Sequence, residues 1–564
     1  MTLSAIFRPL DRIPSWIWAG MSFLAPFLYC LFFGRIGFNP LDSPIVFDGA
    51  YRILEGQDYL IDYYAPAGYV PSQIQAFFFR IMGVNWFSFA FHAALFNGFF
   101  GLLVFQVFRQ FKTPPYFAAL YAAGSGLVFY ASFGTPYPDQ HAFFFSLLGL
   151  FLLIRGANAS GRKAQISWLL TGPVFILGFL SKPVPTAYAM ILAVLLLPLF
   201  LNRDNWKQGL LYMAMGSIGM VLLTALWLEC WRMDLHQAWH YFWTLPREVG
   251  MERLSESSVI PGGPLKRLFA GPFQAFASYN DPNVIFAYGL PVLLLGLAIA
   301  KRLFKVPWLS PFLLPQRSHW QMIALGTGVT LVSSLFIRVT ANQLENGIPF
   351  VFLHLGLIHW FLLDYFRDKA FSSGHSSWVF AWPPFLIFCL LWFFIGLQSI
   401  TFHYEVIAAR KVHDFPPTQE IPYIGPSGLS GMDWLLWQEP WRYGDRNMEE
   451  LIAHLRENDQ PFLYFGDMTF LYGLMRQENP IPALWLHPGL TVPSPADPLL
   501  SSFDDQFLAN LQALGPRLFI VENEKTETYK GITLDYFPKV SEWVNKRMGT
   551  RSSLGTYVIW ELNP

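Results

Sequence analysis

The acids and bases of this chain collect in a few short stretches. Four carboxylates, Asp48, Glu55, Asp58 and Asp62, fall within FDGAYRILEGQDYLIDYYAPAGY (47–69), directly after a long apolar run. Asp139 sits in GTPYPDQH (134–141) and Lys182 in GFLSKPVP (178–185). Arg338, Asn342, Gln343 and Glu345 share RVTANQLENG (338–347). A carboxylate within hydrogen-bond reach of a hydroxyl can remove its proton. A lysine or arginine in a low-dielectric setting can stabilise the charge of a departing phosphate. Together these residue types suit a cavity for a phosphate-bearing substrate and a proton-donating acceptor. No P-loop, GxSxG, HExxH or GxGxxG pattern stands in the context it needs, so ATP-driven chemistry and serine-type hydrolysis find no support.

The elements that must position these groups are membrane helices. The chain has 564 residues, 53% hydrophobic and only 13% charged, about half the charged fraction of soluble domains. A net charge of zero supplies no basic field for nucleic acid. Cys30, Cys230 and Cys389 lie singly in apolar runs and read as small hydrophobes rather than a disulfide or zinc framework. At about 20 apolar residues per span, about eleven transmembrane helices are expected. They fall near 15–38, 86–109, 115–132, 139–155, 166–181, 184–201, 209–231, 284–300, 320–337, 348–364 and 377–397. The first is longer than the core of a signal peptide and reads as a retained span.

Lysine and arginine orient the spans. With the N-terminus cytoplasmic, Arg109, Lys112, Arg155, Arg162, Lys163, Arg203, Lys207, Lys301, Arg302, Lys305, Arg317, Arg367 and Lys369 all fall in inner loops. The long loops near 39–85 and 232–283 are then outer, as are Asp139, Lys182, Arg338 and Glu345. The expected organisation is a polytopic α-helical membrane domain (1–397), a linker (398–446) and a small extracytoplasmic α/β domain (447–564). In the last, NMEELIAHLREN (447–458) has a helical pattern, and PFLYFG (461–466), RLFIVEN (517–523) and TYVIWEL (556–562) have strand patterns.

Each polar residue also has a structural reading. Asp48 and Asp139 suit helix N-termini, and Lys182 and Arg338 suit snorkelling to headgroups. His92, His354 and His359 lie within spans, and the last two are five residues apart, which does not place them on one helix face as metal ligands. They read as packed or hydrogen-bonded side chains.

The combination of the acidic, aromatic first outer loop, PYPDQHAFFFSLLGLFLLIR, FLSKP, the polar loop before the tenth span and the outer α/β unit resembles the C-type (GT-C fold) glycosyltransferase superfamily. It is similar in particular to the bacterial protein-mannosyltransferase and aminoarabinose-transferase-like branch. The resemblance implies an inner-membrane enzyme of the cell envelope that moves one sugar, hexosyl or pentosyl, from a polyprenyl-phosphate carrier to a glycan, lipid or protein acceptor, with inversion. It assigns Asp48 as catalytic base, with Asp42 the nearest competitor, and Lys182 as the basic residue near the lipid phosphate. Asp139, Arg338 and Glu345 become further substrate contacts. The carrier lipid is the donor and no other cofactor is required. Some relatives hold a divalent metal with two outer-loop acids, a role open to Asp48 with Asp139. Two departures are visible: Gly49 follows Asp48 where relatives often carry a second acid, and Asn342 stands beside Glu345 in the polar loop. The competing classes are a transporter or flippase of lipid-linked sugars, and a non-catalytic partner in envelope assembly. The first would place charges at mid-membrane in repeated, broken helices, which this sequence lacks.

Overall fold

The computed structural model describes residues 9–34, 43–65, 68–129, 135–200, 206–245, 247–248, scattered positions between 321 and 360, 423–424, 433–434, 445–466, 468–522, 532–555 and 557–564. The helices of the N-terminal part are α1 (Ser15–Phe33), α2 (Ser43–Leu54), α3 (Tyr69–Met82), α4 (Trp86–Gln110), α5 (Pro115–Leu127), α6 (Pro138–Asn158), α7 (Gly161–Ser181), α8 (Pro183–Phe200), α9 (Trp206–Trp227) and α10 (Leu235–Trp239). Among the described residues, five of these (α1, α4, α6, α7 and α9) are long and apolar enough to cross a membrane. They coincide with expected spans, as does the shorter apolar α8. The run at 115–132 yields α5, of 13 residues. The spans expected near 284–300 and 377–397 lie outside the described residues, and those near 320–337 and 348–364 are described only at isolated positions.

Burial separates the helices by role. Most of α4 and α6 is enclosed, whereas α1 and α9 are largely exposed and present Leu24, Leu28, Leu211, Ile218 and Leu222 outward. A helix apolar all round is suited to lipid rather than water. Small residues let the inner helices approach closely. A Cβ on Gly101 of α4 would strike the Ser22 carbonyl of α1, and one on Gly216 of α9 would strike the Leu169 carbonyl of α7.

One end of this bundle gathers the start of α4, α6 and the end of α1, α7 and α9. The Trp86 indole donates to the Gly34 carbonyl at 2.9 Å, the Gly68 N–H donates to the Ser181 carbonyl at 2.8 Å, and Tyr69 meets Trp227 edge-on at 5.2 Å. This is the end that the lysine and arginine bias assigns to the outer face. Arg109, Arg155, Arg162, Lys163 and Lys207 stand at the opposite helix ends.

The C-terminal part carries β1 (Tyr423–Ile424), β2 (Asp433–Trp434), α11 (Asp445–Asn458), β3 (Phe462–Phe465), α12 (Phe470–Met475), α13 (Leu499–Leu514), β4 (Leu518–Val521), α14 (Pro538–Asn545), β5 (Met548–Leu554) and β6 (Tyr557–Leu562). A four-stranded mixed sheet runs in the order β3-β4-β6-β5. β3 and β4 are parallel and the other pairs antiparallel. Parallel strands require a crossover, and here the crossover is the long segment from 466 to 517, containing α12 and α13. β3 and β4 are buried at every position, as continuous apolar strands covered on both faces should be.

The segment between α1 and α4 and this sheet unit share a core. Phe47, Ala50 and Tyr51 of α2 cluster with Leu451, Phe470, Tyr472 and Ile520, and on the membrane side with Trp86 and Phe89. The apolar positions 47, 50, 51 and 54 recur at helical spacing, so α2 presents one stripe inward. Tyr64 bridges to Ala483, with Tyr64 N–H donating to the Pro482 carbonyl at 3.1 Å.

Candidate functional site

α6 begins at Pro138, a residue suited to the first helical turn, and places Asp139 in that turn. Lys182 follows the last residue of α7. A carboxylate at a helix N-terminus and an ammonium at a C-terminus are both favoured by the helix dipoles. The two side chains form an ion pair, with Lys182 26% and Asp139 13% exposed. This pair is therefore reachable from outside the protein. A hydrogen bond of 2.6 Å between Ser43 and Thr135 ties the start of α2 to the segment before α6. The Gly68–Ser181 bond does the same for the end of the loop.

Further along α6 from the pair lies a small apolar recess of about 20 Å³, lined by Phe143, Ser146, Leu147 and Leu150 of α6, Ala189 of α8, and Val329 and Val332. Positions 139, 143, 146, 147 and 150 share one face of α6 by helical periodicity. At 1.5 Å rise per residue, the recess extends roughly 6 to 17 Å along the helix from Asp139.

Asp48 is placed differently. It is fully buried and paired with Arg52, one helical turn on, whose Nε donates to Oδ2 at 2.9 Å. The Asn479 amide donates to the same oxygen at 3.0 Å. Burial raises the carboxyl above its ordinary value, and the Arg52 charge and the two hydrogen bonds oppose that rise. The remaining donors of Arg52 are also engaged. Nη1 reaches Gln57 Oε1 at 3.1 Å and the Asn479 carbonyl at 3.4 Å. Nη2 reaches the carbonyls of Ile481 at 2.8 Å and Ala483 at 3.3 Å. The guanidinium also lies 5.2 Å from the Tyr63 ring. Arg52 thus fixes α2 to the crossover segment of the sheet unit.

Of the residues expected at a site, Asp139 and Lys182 are brought together, and both belong to the same end of the molecule as Asp48. Arg338 and Glu345, with Asn342 and Gln343, lie outside the described residues. Glu55, Asp58 and Asp62 stay at the surface of the loop, where Asp58 pairs with Arg232 at 2.7 Å. Arg52 and Asn479 were not expected. Arg52 was signalled by its spacing from Asp48, four residues along an amphipathic stretch. Asn479 has no local signal, being more than four hundred residues away.

The acids do not suit a divalent cation. Each of Asp48 and Asp139 already faces a cationic side chain, and no three His, Cys, Asp or Glu converge among the described residues. Asp48 with Asp139 therefore makes a poor donor set for a metal. His92 contacts His141 at 3.0 Å between their Nε2 atoms and Gln75 at 3.0 Å. His359 contacts the Tyr121 hydroxyl at 2.7 Å. These histidines are buried and hydrogen-bonded within the protein.

Residues 67–228, from just before α3 through α9, match the family described as dolichyl-phosphate-mannose-protein mannosyltransferase. The matched region contains Asp139 and Lys182 and stops short of Asp48. The chain accordingly resembles the C-type, polyprenyl-phosphate-sugar-dependent glycosyltransferases. Among solved structures it is similar to ArnT from Cupriavidus metallidurans bound to undecaprenyl phosphate, at 12% identity over 96% of this chain and 97% of that one, with a TM-score of 0.48. The apo state of the same ArnT aligns at 13% identity over 95% and 96%, with a TM-score of 0.46. No curated protein matches the chain.

Proposed function

We propose that this protein is an integral membrane glycosyltransferase that moves a monosaccharide from a polyprenyl-phosphate carrier to an acceptor on the extracytoplasmic face. The observation that carries the reading is the accessible Lys182–Asp139 pair above the apolar recess, within the residues that match the mannosyltransferase family. Lys182 takes the lipid phosphate, and the first part of the isoprenoid chain enters along the recess, which must widen to admit it. Asp139 holds the ammonium in place until the phosphate arrives. Arg338 and Glu345 are assigned to sugar or acceptor recognition.

In the transfer step the acceptor hydroxyl attacks the anomeric carbon. A glycosidic bond forms as the bond between that carbon and the phosphate oxygen breaks, with inversion. The electron pair leaves with the phosphate, which Lys182 stabilises, and the hydroxyl proton passes to Asp48. Burial suits Asp48 to this role, because a carboxyl raised toward neutrality is a stronger base. Since Asp48 is enclosed, acceptor entry requires the packing around it to open. The enzyme is assigned to the cytoplasmic membrane, with its N-terminus inside and the sheet unit outside.

The test is a transfer assay in lipid vesicles. Purified protein would receive radiolabelled polyprenyl-phosphate sugar and a crude envelope fraction as acceptor source. Wild type should release free polyprenyl phosphate and label the acceptor fraction, and Lys182→Ala should do so much more slowly at donor concentrations below the wild-type KM. Label that stays on the carrier with folded, membrane-inserted wild-type protein would remove this reading.

A further inference from the structure

The two oxygens of Asp48 are treated unequally. Oδ2 accepts from both Arg52 and Asn479, whereas Oδ1 is buried and takes no hydrogen bond among the described residues. A buried carboxylate oxygen left without a donor is costly, and arginine ordinarily offers a carboxylate two parallel N–H groups. Here the second donor is drawn away. Nη2 points at the carbonyls of Ile481 and Ala483, so only Nε reaches Asp48. Asn479 is itself fixed, because its Oδ1 accepts from the Ile481 N–H at 3.0 Å. That local turn is the kind Asn favours, and it settles which end of the amide faces Asp48.

Resting on the glycosyltransferase reading above, we infer that Arg52 and Asn479 are positioning residues that hold Oδ2 and reserve Oδ1 of Asp48 as the oxygen that accepts the acceptor's proton. The C-terminal sheet unit is then part of the catalytic centre rather than a separate docking module. Its crossover segment supplies Asn479 directly and orients Arg52 through its backbone carbonyls.

The test compares two variants on the same segment. Asn479→Ser keeps a hydroxyl to accept from the Ile481 N–H but is too short to reach Asp48. Asn510→Ala removes a different anchor, since the Asn510 amide donates to the Pro480 carbonyl at 3.0 Å, and leaves Asp48 untouched. Transfer kinetics on full-length protein in vesicles should show Asn479→Ser losing roughly tenfold or more in kcat with the donor KM unchanged. Asn510→Ala should keep its kcat. Thermal unfolding of both variants checks that they are folded, and Asn479→Thr, which also keeps a hydroxyl for the Ile481 N–H and is too short to reach Asp48, replaces Asn479→Ser if the latter does not fold. Wild-type kcat in the Asn479 variant, or equal kcat losses in both, overturns the inference. An active Asp48→Asn would instead remove the base assignment on which it rests.

Discussion

Replacing Arg52 by alanine gives the most informative structural perturbation. The guanidinium is 2% exposed, faces the Asp48 carboxylate at 2.9 Å and donates to the Ile481 and Ala483 carbonyls. Removing one partner of a buried ion pair costs about 3–5 kcal/mol, because the other charge stays buried and unpaired. Each orphaned carbonyl adds about 1–3 kcal/mol. These terms share one side chain and do not sum independently, so the expected loss is about 5 kcal/mol, near the upper end for the pair alone. Arg52→Lys retains the charge but cannot reproduce the planar fork, and should lose about 2 kcal/mol. The combined change Asp48→Leu with Arg52→Met should restore most of the stability, as apolar replacement of a buried pair often does. The assay is unfolding in detergent followed by tryptophan fluorescence, with limited proteolysis reporting release of the sheet unit. Arg52→Ala within about 1 kcal/mol of wild type, or a double variant no better than the single one, would refute the account of this junction.

Three further outcomes follow from other parts of the structure. Lys182→Ala should raise the donor KM at least about tenfold, the scale of one charge-assisted hydrogen bond, while Lys182→Arg retains much of the binding; steady-state transfer kinetics decide this. Ala189→Phe should fill the recess beside Phe143 and Leu147 and raise KM for long-chain carriers but not for short-chain analogues, read by comparing donors of different isoprenoid length. Gly49→Glu, which installs the second acid common in relatives, should destabilise the protein by about 2 kcal/mol or more, since a Cβ there already meets Ser72 Oγ at 3.0 Å and Leu484 at 3.1 Å and a charge would be buried without a partner; thermal unfolding measures it.

That last case shows what the sequence could and could not convey. Gly49 stands out as a departure from the acid pair, but its reasons are Ser72, on the next helix, and Leu484, which arrives from the crossover of a distant sheet. Long apolar runs announced α1, α4, α6, α7 and α9 because a membrane span repeats one signal over about 20 residues. α2 and α3 were hidden inside the expected loop at 39–85, being too short and too polar for that window. β3, β4 and β6 were legible as compact apolar runs, whereas β5 was not: MGTRSSL is exposed at most positions, as an edge strand is, and carries no apolar alternation. At the site, Asp139 and Lys182 were legible as interfacial charges, and topology alone put them on one face. Asn479 was not, since only the folded crossover brings it to Asp48. Arg338 and Glu345, in the polar stretch 338–347, lie outside the described residues.

The central claim is that a sugar leaves a polyprenyl-phosphate carrier through this protein. Its most direct test is mass spectrometry of lipids and envelope glycans from cells lacking the chain, complemented with wild type or with Asp48→Asn. The account predicts accumulated polyprenyl-phosphate sugar and one sugar missing from an envelope acceptor, both corrected by wild type and by neither measure with Asp48→Asn. Unchanged carrier and glycan profiles in the deletion strain would contradict it.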